Sequence, residues 1–201
     1  MDGNRWKELP RMETPRVWLR ALRLEDSDDV YAYAANPGVA GGTTWEPHAS
    51  RSVSQTVVAD IMRHYAMGAY FCWAIEDKRN RRVIGTCGFD GHWDLRDQRA
   101  RLGYVLAQDY WGRGLMVEAA QRVLLFGFEQ LGLHRVTARC LADNRQSERV
   151  LQKLGMTCEG MLWDHVRIKG RFRTVKFYGM LAHEFLAKAS HNSAGKDFVL
   201  G

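Results

Sequence analysis

A glycine-rich segment at residues 110–114 lies between an apolar run at residues 102–106 and a helix-like run at residues 117–131. A strand that leads through such a turn into a helix builds an anion site, because the first N–H groups of a helix lack internal partners and carry partial positive charge. Gly112 and Gly114 have no Cβ, so a phosphate can approach their backbone closely. The segment therefore predicts a pyrophosphate site, although a tight strand–helix connection would explain the same residues.

A second polar cluster follows another β-like run, at residues 134–141. Asn144 is a candidate N-cap, and Gly155 suits the residue that ends a helix. Apolar residues recur between them at helical spacing. By itself, this cluster is explained by a well-capped amphipathic helix. Together, the two clusters predict two successive strand–helix units whose polar groups gather at the helix starts.

The order and spacing of these segments over residues 14–185 resemble the GNAT superfamily of acetyl-CoA-dependent N-acetyltransferases. Within it, the chain looks like the ribosomal-protein N-terminal acetyltransferases, the RimJ/RimL-like branch. The landmarks are residues 14–20, 83–88, 102–104, 111–114 and 118–120, Asn144 with Ser147, residues 153–156, and Glu159 with Gly160. The phosphate loop of the superfamily usually begins with Gln or Arg, whereas this chain has Asp109 there.

The resemblance implies an α+β fold of three layers, in which about four helices flank a central mixed, mostly antiparallel sheet of about seven strands. We expect residues 1–13 to be an N-terminal extension, residues 14–187 the acetyltransferase domain and residues 188–201 a C-terminal tail. The predicted strands are residues 17–24, 70–75, 82–93, 98–106, 134–141, 158–168 and 172–181. The predicted helices are residues 26–35, 50–67, 117–131 and the segment from Asn144 to Gly155, with a loop at residues 39–49.

The resemblance also implies where acetyl-CoA binds as the acetyl-donor cosubstrate. The strands at residues 98–106 and 134–141 would splay apart and hold the pantetheine arm against the backbone of Tyr104, Val105 and Leu106. Further coenzyme contacts are expected from Trp111, Gly112, Arg113, Gly114, Leu115, Met116, Asn144 and Lys153. Glu118, in the helix after the loop, is expected to orient structure there rather than to titrate.

The expected chemistry is direct attack of a primary amine on a thioester, which needs a deprotonated amine, a stabilised oxyanion and a proton for the leaving thiolate. By resemblance Ser147 would donate that proton, although it could equally be a polar first-turn residue of its own helix. Asp109 is the candidate base, because glutamates proposed in related enzymes lie just before the phosphate loop. A water relay is the alternative. The residues expected to flank the acceptor groove are Trp45, Glu46, Trp93 and Asp94.

Length and composition fit one globular domain: 201 residues, of which 46% are hydrophobic and 26% charged. No apolar run approaches the roughly 18–20 residues of a membrane span, and the N-terminus lacks the apolar core of a signal peptide, so we expect no membrane association. Cys72, Cys87, Cys140 and Cys158 stand singly, without metal-ligand spacing to the histidines. They predict reduced thiols in the cytoplasm and no metal site.

The net charge of +6 raises the question of nucleic-acid binding. The positive charges cluster only at residues 78–82 and 169–173, and both segments are predicted to be solvated hairpin tips. We therefore expect no nucleic-acid partner, with docking near ribosomal RNA as the minority hypothesis.

The predicted function is acetyl transfer from acetyl-CoA to a primary amine, foremost the N-terminal α-amine of a protein such as a ribosomal protein. One alternative is a small-molecule amine acceptor: a polyamine, an amino acid or an antibiotic, since the same scaffold accepts many amines. The other is a non-catalytic acyl-CoA sensor or ribosome-associated binding module. A homodimer through the later strands remains open.

Overall fold

The computed structural model describes residues 9–67, 71–94 and 96–193, and for residues 90–94 and 189–193 it describes the backbone alone. Within these ranges eight strands form one sheet in the order β1-β2-β3-β4-β5-β6-β8-β7. The strands are β1 (Met12–Glu13), β2 (Val17–Arg20), β3 (Phe71–Asp77), β4 (Val83–Asp94), β5 (Arg99–Leu106), β6 (Arg135–Leu141), β7 (Thr157–Ile168) and β8 (Arg171–Leu181). The α-helices are α1 (Ser27–Ala34), α2 (Pro37–Gly41), α3 (Arg51–Ala66), α4 (Leu115–Glu129), α5 (Arg145–Leu154) and α6 (Ala182–Ser193).

Helices cover both faces of this sheet. Apolar side chains of α4 and α5 pack into one core with those of the central strands, and those of α1 and α3 pack into a second core with Ala74 and Val83. Because both faces are covered, all seven residues of β3 are buried. Neighbouring strands are antiparallel except β5 and β6, which are parallel. The three-layer α+β fold is thus confirmed, with a mostly antiparallel mixed sheet.

Helix α4, which follows the glycine-rich segment, lies close against β4. Gly127 permits this approach, since a Cβ added there would lie 2.5 Å from the Phe89 ring. The helix ends at Glu129, and Gly132 follows with a φ of 65° that favours glycine. Helix α4 therefore has a fixed position, and its N-terminus faces the end of β5.

Two features at the N-terminal side differ from the sequence predictions. Strand β2 ends at Arg20 rather than at residue 24, because the Asp26 carboxylate accepts hydrogen bonds from the Arg20 guanidinium at 2.7 and 2.8 Å and from the Arg23 N–H at 2.8 Å. These bonds turn residues 24–26 into a 3-10 helix. Strand β1 lies inside the predicted extension at residues 1–13, and Met12 is buried in the core.

Two helices were not predicted. Within the predicted loop at residues 39–49, α2 forms because Asn36 Oδ1 accepts a 2.8 Å hydrogen bond from the Gly38 N–H and Pro37 occupies the first helical position. Helix α6 follows Leu181, whose N–H donates a 2.9 Å hydrogen bond to Glu184 Oε2 in the first turn of the helix. It runs through residue 188, where we had placed the start of the tail, while residues 194–201 lie outside the described part.

Cys72, Cys87 and Cys140 are buried, Cys158 is exposed, and all four are free thiols. Burial raises the pKa of the Cys140 thiol to about 11. In the described ranges no helix is long and apolar enough to cross a bilayer. The same ranges contain no group of three or more His, Cys, Asp or Glu side chains that could hold a metal ion.

Candidate active site

A wedge-shaped opening separates β5 from β6 at the end of the sheet that faces α4 and α5. Pairing between the two strands runs from Arg99↔Arg135 to Leu102↔Ala138 and stops there. Strand β5 nevertheless continues along β4 to Leu106, and β6 continues along β8. The expected splaying of these strands is therefore present. A cavity of about 1000 Å³ occupies the opening, which is the size range of small-molecule sites.

The glycine-rich segment forms one wall of this cavity. Gly112 and Gly114 have φ angles of 74° and 77°, in the left-handed region where other residues are strained. Gly114 is the N-cap of α4 and offers no side-chain hydrogen bond to the helix. A Cβ added to Gly112 would have no atom within 4 Å. The segment thus presents an open backbone surface at the positive end of a 15-residue helix.

Arg16 and Glu118 tie this loop to the start of β2. The Arg16 Nε donates to Glu118 Oε2 at 2.7 Å, and its Nη1 donates to the Arg113 carbonyl at 2.8 Å. Glu118 Oε1 also accepts from the Arg16 N–H at 2.9 Å and from Thr14 Oγ1 at 2.6 Å. With its carboxylate engaged in this way, Glu118 holds the loop in place, as we expected of it.

Trp111 anchors the other end of the loop. Its indole Nε1 donates a 2.8 Å hydrogen bond to the Leu106 carbonyl, and its ring packs against both cores. The neighbouring Tyr110 hydroxyl accepts a 3.0 Å hydrogen bond from Asn80 Nδ2 at the β3–β4 turn. These contacts tie the loop to the end of β5 and to the β3–β4 turn.

The N-terminus of α5 forms the opposite wall. Asn144 caps the helix, because its Oδ1 accepts a 3.0 Å hydrogen bond from the Ser147 N–H. Ser147 Oγ lies 2.8 Å from the Tyr104 hydroxyl, which comes from β5. Burial raises the pKa of Tyr104 well above its usual value. Gly42, after α2, lies against the Asn144 amide, since a Cβ there would be 2.5 Å from Nδ2.

Most of the predicted coenzyme residues meet in this cavity. Its lining contains Tyr104, Val105, Leu106, Trp111, Gly112, Gly114, Leu115, Met116, Asn144, Ser147 and Lys153. Arg113 does not line it, and its carbonyl is held by Arg16 instead.

The structure does not bring the predicted base to the cavity. Asp109 lies in a 3-10 turn at residues 108–110, where it is exposed and outside the cavity lining. Among the predicted acceptor residues Trp45 lines the cavity, whereas Glu46 is 71% exposed and outside the lining. The side chains of Trp93 and Asp94 lie outside the described part of the structure.

The charged side chains that line the cavity are predominantly basic. Among the described residues these are Arg101, Arg139, Arg145, Arg149, Lys153, Arg173 and a single acid, Asp143. The Asp143 carboxylate is itself bonded to Arg173 Nη2 at 2.7 Å. Arg145 and Arg149 were missed from the sequence, although their four-residue spacing, continued by Lys153, places all three on one face of α5. Such a face suits a polyanionic ligand.

Both predicted hairpin tips form, but their charges are bonded to protein groups rather than only solvated. At the β3–β4 turn, Arg79 Nη2 lies 2.8 Å from Asp77, whose pKa it lowers. At the β7–β8 turn, Lys169 Nζ donates to the Ala40 carbonyl of α2 at 2.8 Å. The second hairpin therefore holds the segment that continues into Gly42 and Trp45 over the cavity.

Comparison with known proteins gives consistent matches. Residues 16–157 match the acetyltransferase (GNAT) domain family. The uncharacterized N-acetyltransferase p20 of Bacillus licheniformis is 33% identical over 177 residues, which cover 88% of this chain and 99% of that protein. The [ribosomal protein uS5]-alanine N-acetyltransferase of Escherichia coli is 28% identical over 134 residues, covering 64% and 69%.

Solved structures agree on the fold. A GNAT-family acetyltransferase from Bacillus anthracis superposes with a TM-score of 0.77 at 23% identity, covering 87% of this chain and all of that one. The microcin C7 self-immunity acetyltransferase MccE, solved in complex with acetyl-CoA and AMP, gives 0.74 at 20% identity, covering 84% and 93%. The ribosomal-protein relative is less similar than p20, so the RimJ/RimL-like branch is not shown by these matches.

Proposed function

This chain belongs to the GNAT family of acetyltransferases, and from that premise we propose that its acceptor is the N-terminal α-amine of a protein such as a ribosomal protein. The protein is an acetyl-CoA-dependent N-acetyltransferase, as its family and its named relatives are. Membership of the family does not specify the acceptor, so the RimJ/RimL-like assignment and the peptide acceptor are our proposal.

The cavity suits the coenzyme along its whole length. The open backbone of Gly112 and Gly114 would receive the pyrophosphate, since nothing occupies the space beside Gly112. The basic face of α5 would offset the remaining phosphate charge. The part of β5 that is paired with β4 but not with β6, from Gly103 to Leu106, offers backbone groups on its free side for the amide-containing pantetheine arm.

The residues beside this arm supply the polar groups that acetyl transfer needs. As the bond between the acetyl carbon and sulfur breaks, its electron pair stays on sulfur, and Ser147 would pass its hydroxyl proton to that sulfur and regain a proton from solvent. The amine releases one proton as its N–C bond forms, which balances the proton that the thiolate finally takes up. Asp109 is exposed and does not line the cavity, so we do not assign it as the base. A water relay would carry the proton to solvent, which suffices for an α-amine with a pKa of about 7.7–8.0.

The charge of the cavity outside α5, where Arg101, Arg139 and Arg173 line it, is the observation that favours a peptide over a polyamine. A polyamine carries several positive charges and needs carboxylates, yet the one acid in the described lining is already bonded to Arg173. A peptide N-terminus is a single amine and attacks in its neutral form, so a basic lining repels it less. A relative and a solved structure named as uS5- or S5-alanine acetyltransferases give further support.

A thiol-release assay tests the acceptor. We expect peptides that begin with alanine or serine to give a kcat/KM at least about tenfold above that of spermidine, a gap that corresponds to about 1.4 kcal/mol. Faster turnover of spermidine or of an aminoglycoside would overturn the peptide acceptor and keep the chemistry. Tight coenzyme binding by calorimetry with no turnover of any amine would favour an acyl-CoA sensor instead.

A further inference from the structure

The hydroxyl of the partly buried Tyr104 contacts Ser147 at the wall of the cavity. Its Oη lies 2.8 Å from Ser147 Oγ and 3.1 Å from the Ser147 carbonyl oxygen. The two residues are 43 positions apart in sequence, and they meet because β5 and α5 form opposite walls of the same opening. Both residues line the cavity.

The single proton of the tyrosine hydroxyl has two acceptors within reach, so the pair has two hydrogen-bonding arrangements. In the first, Tyr104 donates to the Ser147 carbonyl, and the serine hydroxyl donates back to Tyr104 Oη. In the second, Tyr104 donates to Ser147 Oγ, and the serine proton is free to turn toward the cavity. Only the second arrangement leaves Ser147 as a donor to a bound ligand.

Tyr104 remains protonated under all working conditions, because burial raises its pKa far above neutrality. It therefore serves as a hydrogen-bond donor and not as a base. Donation into Ser147 Oγ also polarises the serine O–H bond, since successive hydrogen bonds in a chain strengthen one another.

We propose that Tyr104 is a positioning residue that orients the hydroxyl of Ser147 toward the sulfur of the departing coenzyme. The inference rests on the proposed acetyl transfer and on the donor role of Ser147 within it. During the step, the carbon–sulfur bond breaks with its electron pair on sulfur, the Ser147 O–H donates to that sulfur, and the Tyr104 O–H donates to Ser147 Oγ. Tyr104 touches no reacting atom.

Removal of one hydroxyl tests this role. We expect Tyr104→Phe to lower kcat about fivefold, the worth of one neutral hydrogen bond, and to leave the coenzyme A dissociation constant within about twofold. In the Ser147→Ala background the same change is expected to have no further effect on kcat, because the group that Tyr104 orients is gone.

Tyr178→Phe is the matched control. Tyr178 is buried, and its hydroxyl donates to Glu148 Oε1 at 2.9 Å, outside the cavity lining. We expect its removal to change thermal stability and to leave kcat unchanged. Each variant is assayed with the alanine- and serine-initiated peptides, with coenzyme A titrated by calorimetry and folding checked by thermal melting.

The outcomes distinguish a failure of the Tyr104 role from a failure of the proposed function. If the effects of Tyr104→Phe and Ser147→Ala multiply in the double variant, or if Tyr104→Phe raises KM with kcat unchanged, then Tyr104 does not act through Ser147 and the inference is wrong. If the unmodified protein turns over no amine at all, the proposed function itself fails.

Discussion

Replacing Gly112 with alanine separates folding from coenzyme binding. Its φ of 74° costs an alanine about 1 kcal/mol, and the added Cβ meets no atom within 4 Å. For a domain of this size the strain lowers Tm by about 2–4 °C. Gly132 is the matched control: its φ is 65°, its Cβ position is equally open, and it does not line the cavity.

The two variants are expected to differ in coenzyme binding alone. In Gly112→Ala the Cβ occupies the space assigned to the pyrophosphate and removes charge-assisted hydrogen bonds worth about 1.5–3 kcal/mol. This loss would raise the dissociation constant of coenzyme A roughly ten- to hundredfold. Calorimetric titration with coenzyme A, together with thermal melts, measures both quantities. Equal coenzyme affinity in Gly112→Ala and Gly132→Ala would refute the phosphate loop.

Further predictions concern the support of the loop by Arg16, the partly buried ion pair between Lys176 and Glu148, and assembly. Arg16→Met, which loses the side-chain bonds to Glu118 and to the Arg113 carbonyl, is expected to raise the coenzyme KM about fivefold with kcat nearly unchanged in steady-state kinetics. An unchanged KM would contradict the support of the loop by Arg16. Hydrogen bonds from Lys176 and Tyr178 lower the pKa of Glu148, so its carboxylate stabilises the fold above pH 4.5 and this contribution is lost as the pH falls through the lowered value. The Tm deficit of Glu148→Gln should therefore be present at pH 7 and shrink below pH 4.5, whereas a constant deficit would exclude this linkage. The homodimer remains a prediction. Strand β7 is an edge strand of the sheet, and its Trp163 is 77% exposed. Light scattering should give twice the 23.1 kDa chain mass, and the mass of a monomer would contradict the prediction.

Local sequence signals predicted the walls of the site well. Asn144 and Gly155 bound α5 as expected, because an amide cap and a left-handed glycine at φ 81° act through neighbouring residues alone. The same holds for the glycine-rich segment, whose positive φ angles follow from the absence of a Cβ. The loop predicted at residues 39–49 missed α2, which Pro37 begins.

Side-chain direction and long-range contacts could not be predicted from the sequence. Asp109 has a plausible position beside the loop, yet a 3-10 turn directs it to solvent. The Tyr104 hydroxyl reaches Ser147 only because two strands separate and a helix from later in the chain packs beside them. We had assigned Tyr104 through its backbone, and no spacing in the sequence reports the side-chain contact.

The most direct test of the proposed acceptor is the location of the transferred acetyl group on a peptide that has both a free α-amine and an internal lysine. The α-amine has a pKa of about 7.7–8.0 against about 10.4 for lysine, so near pH 7 roughly a tenth of the α-amine is neutral, whereas less than about a thousandth of the lysine amine is. Fragmentation by tandem mass spectrometry after incubation with acetyl-CoA should place the acetyl group on the α-amine alone. Acetylation of the lysine, or of neither amine, would contradict the proposed function.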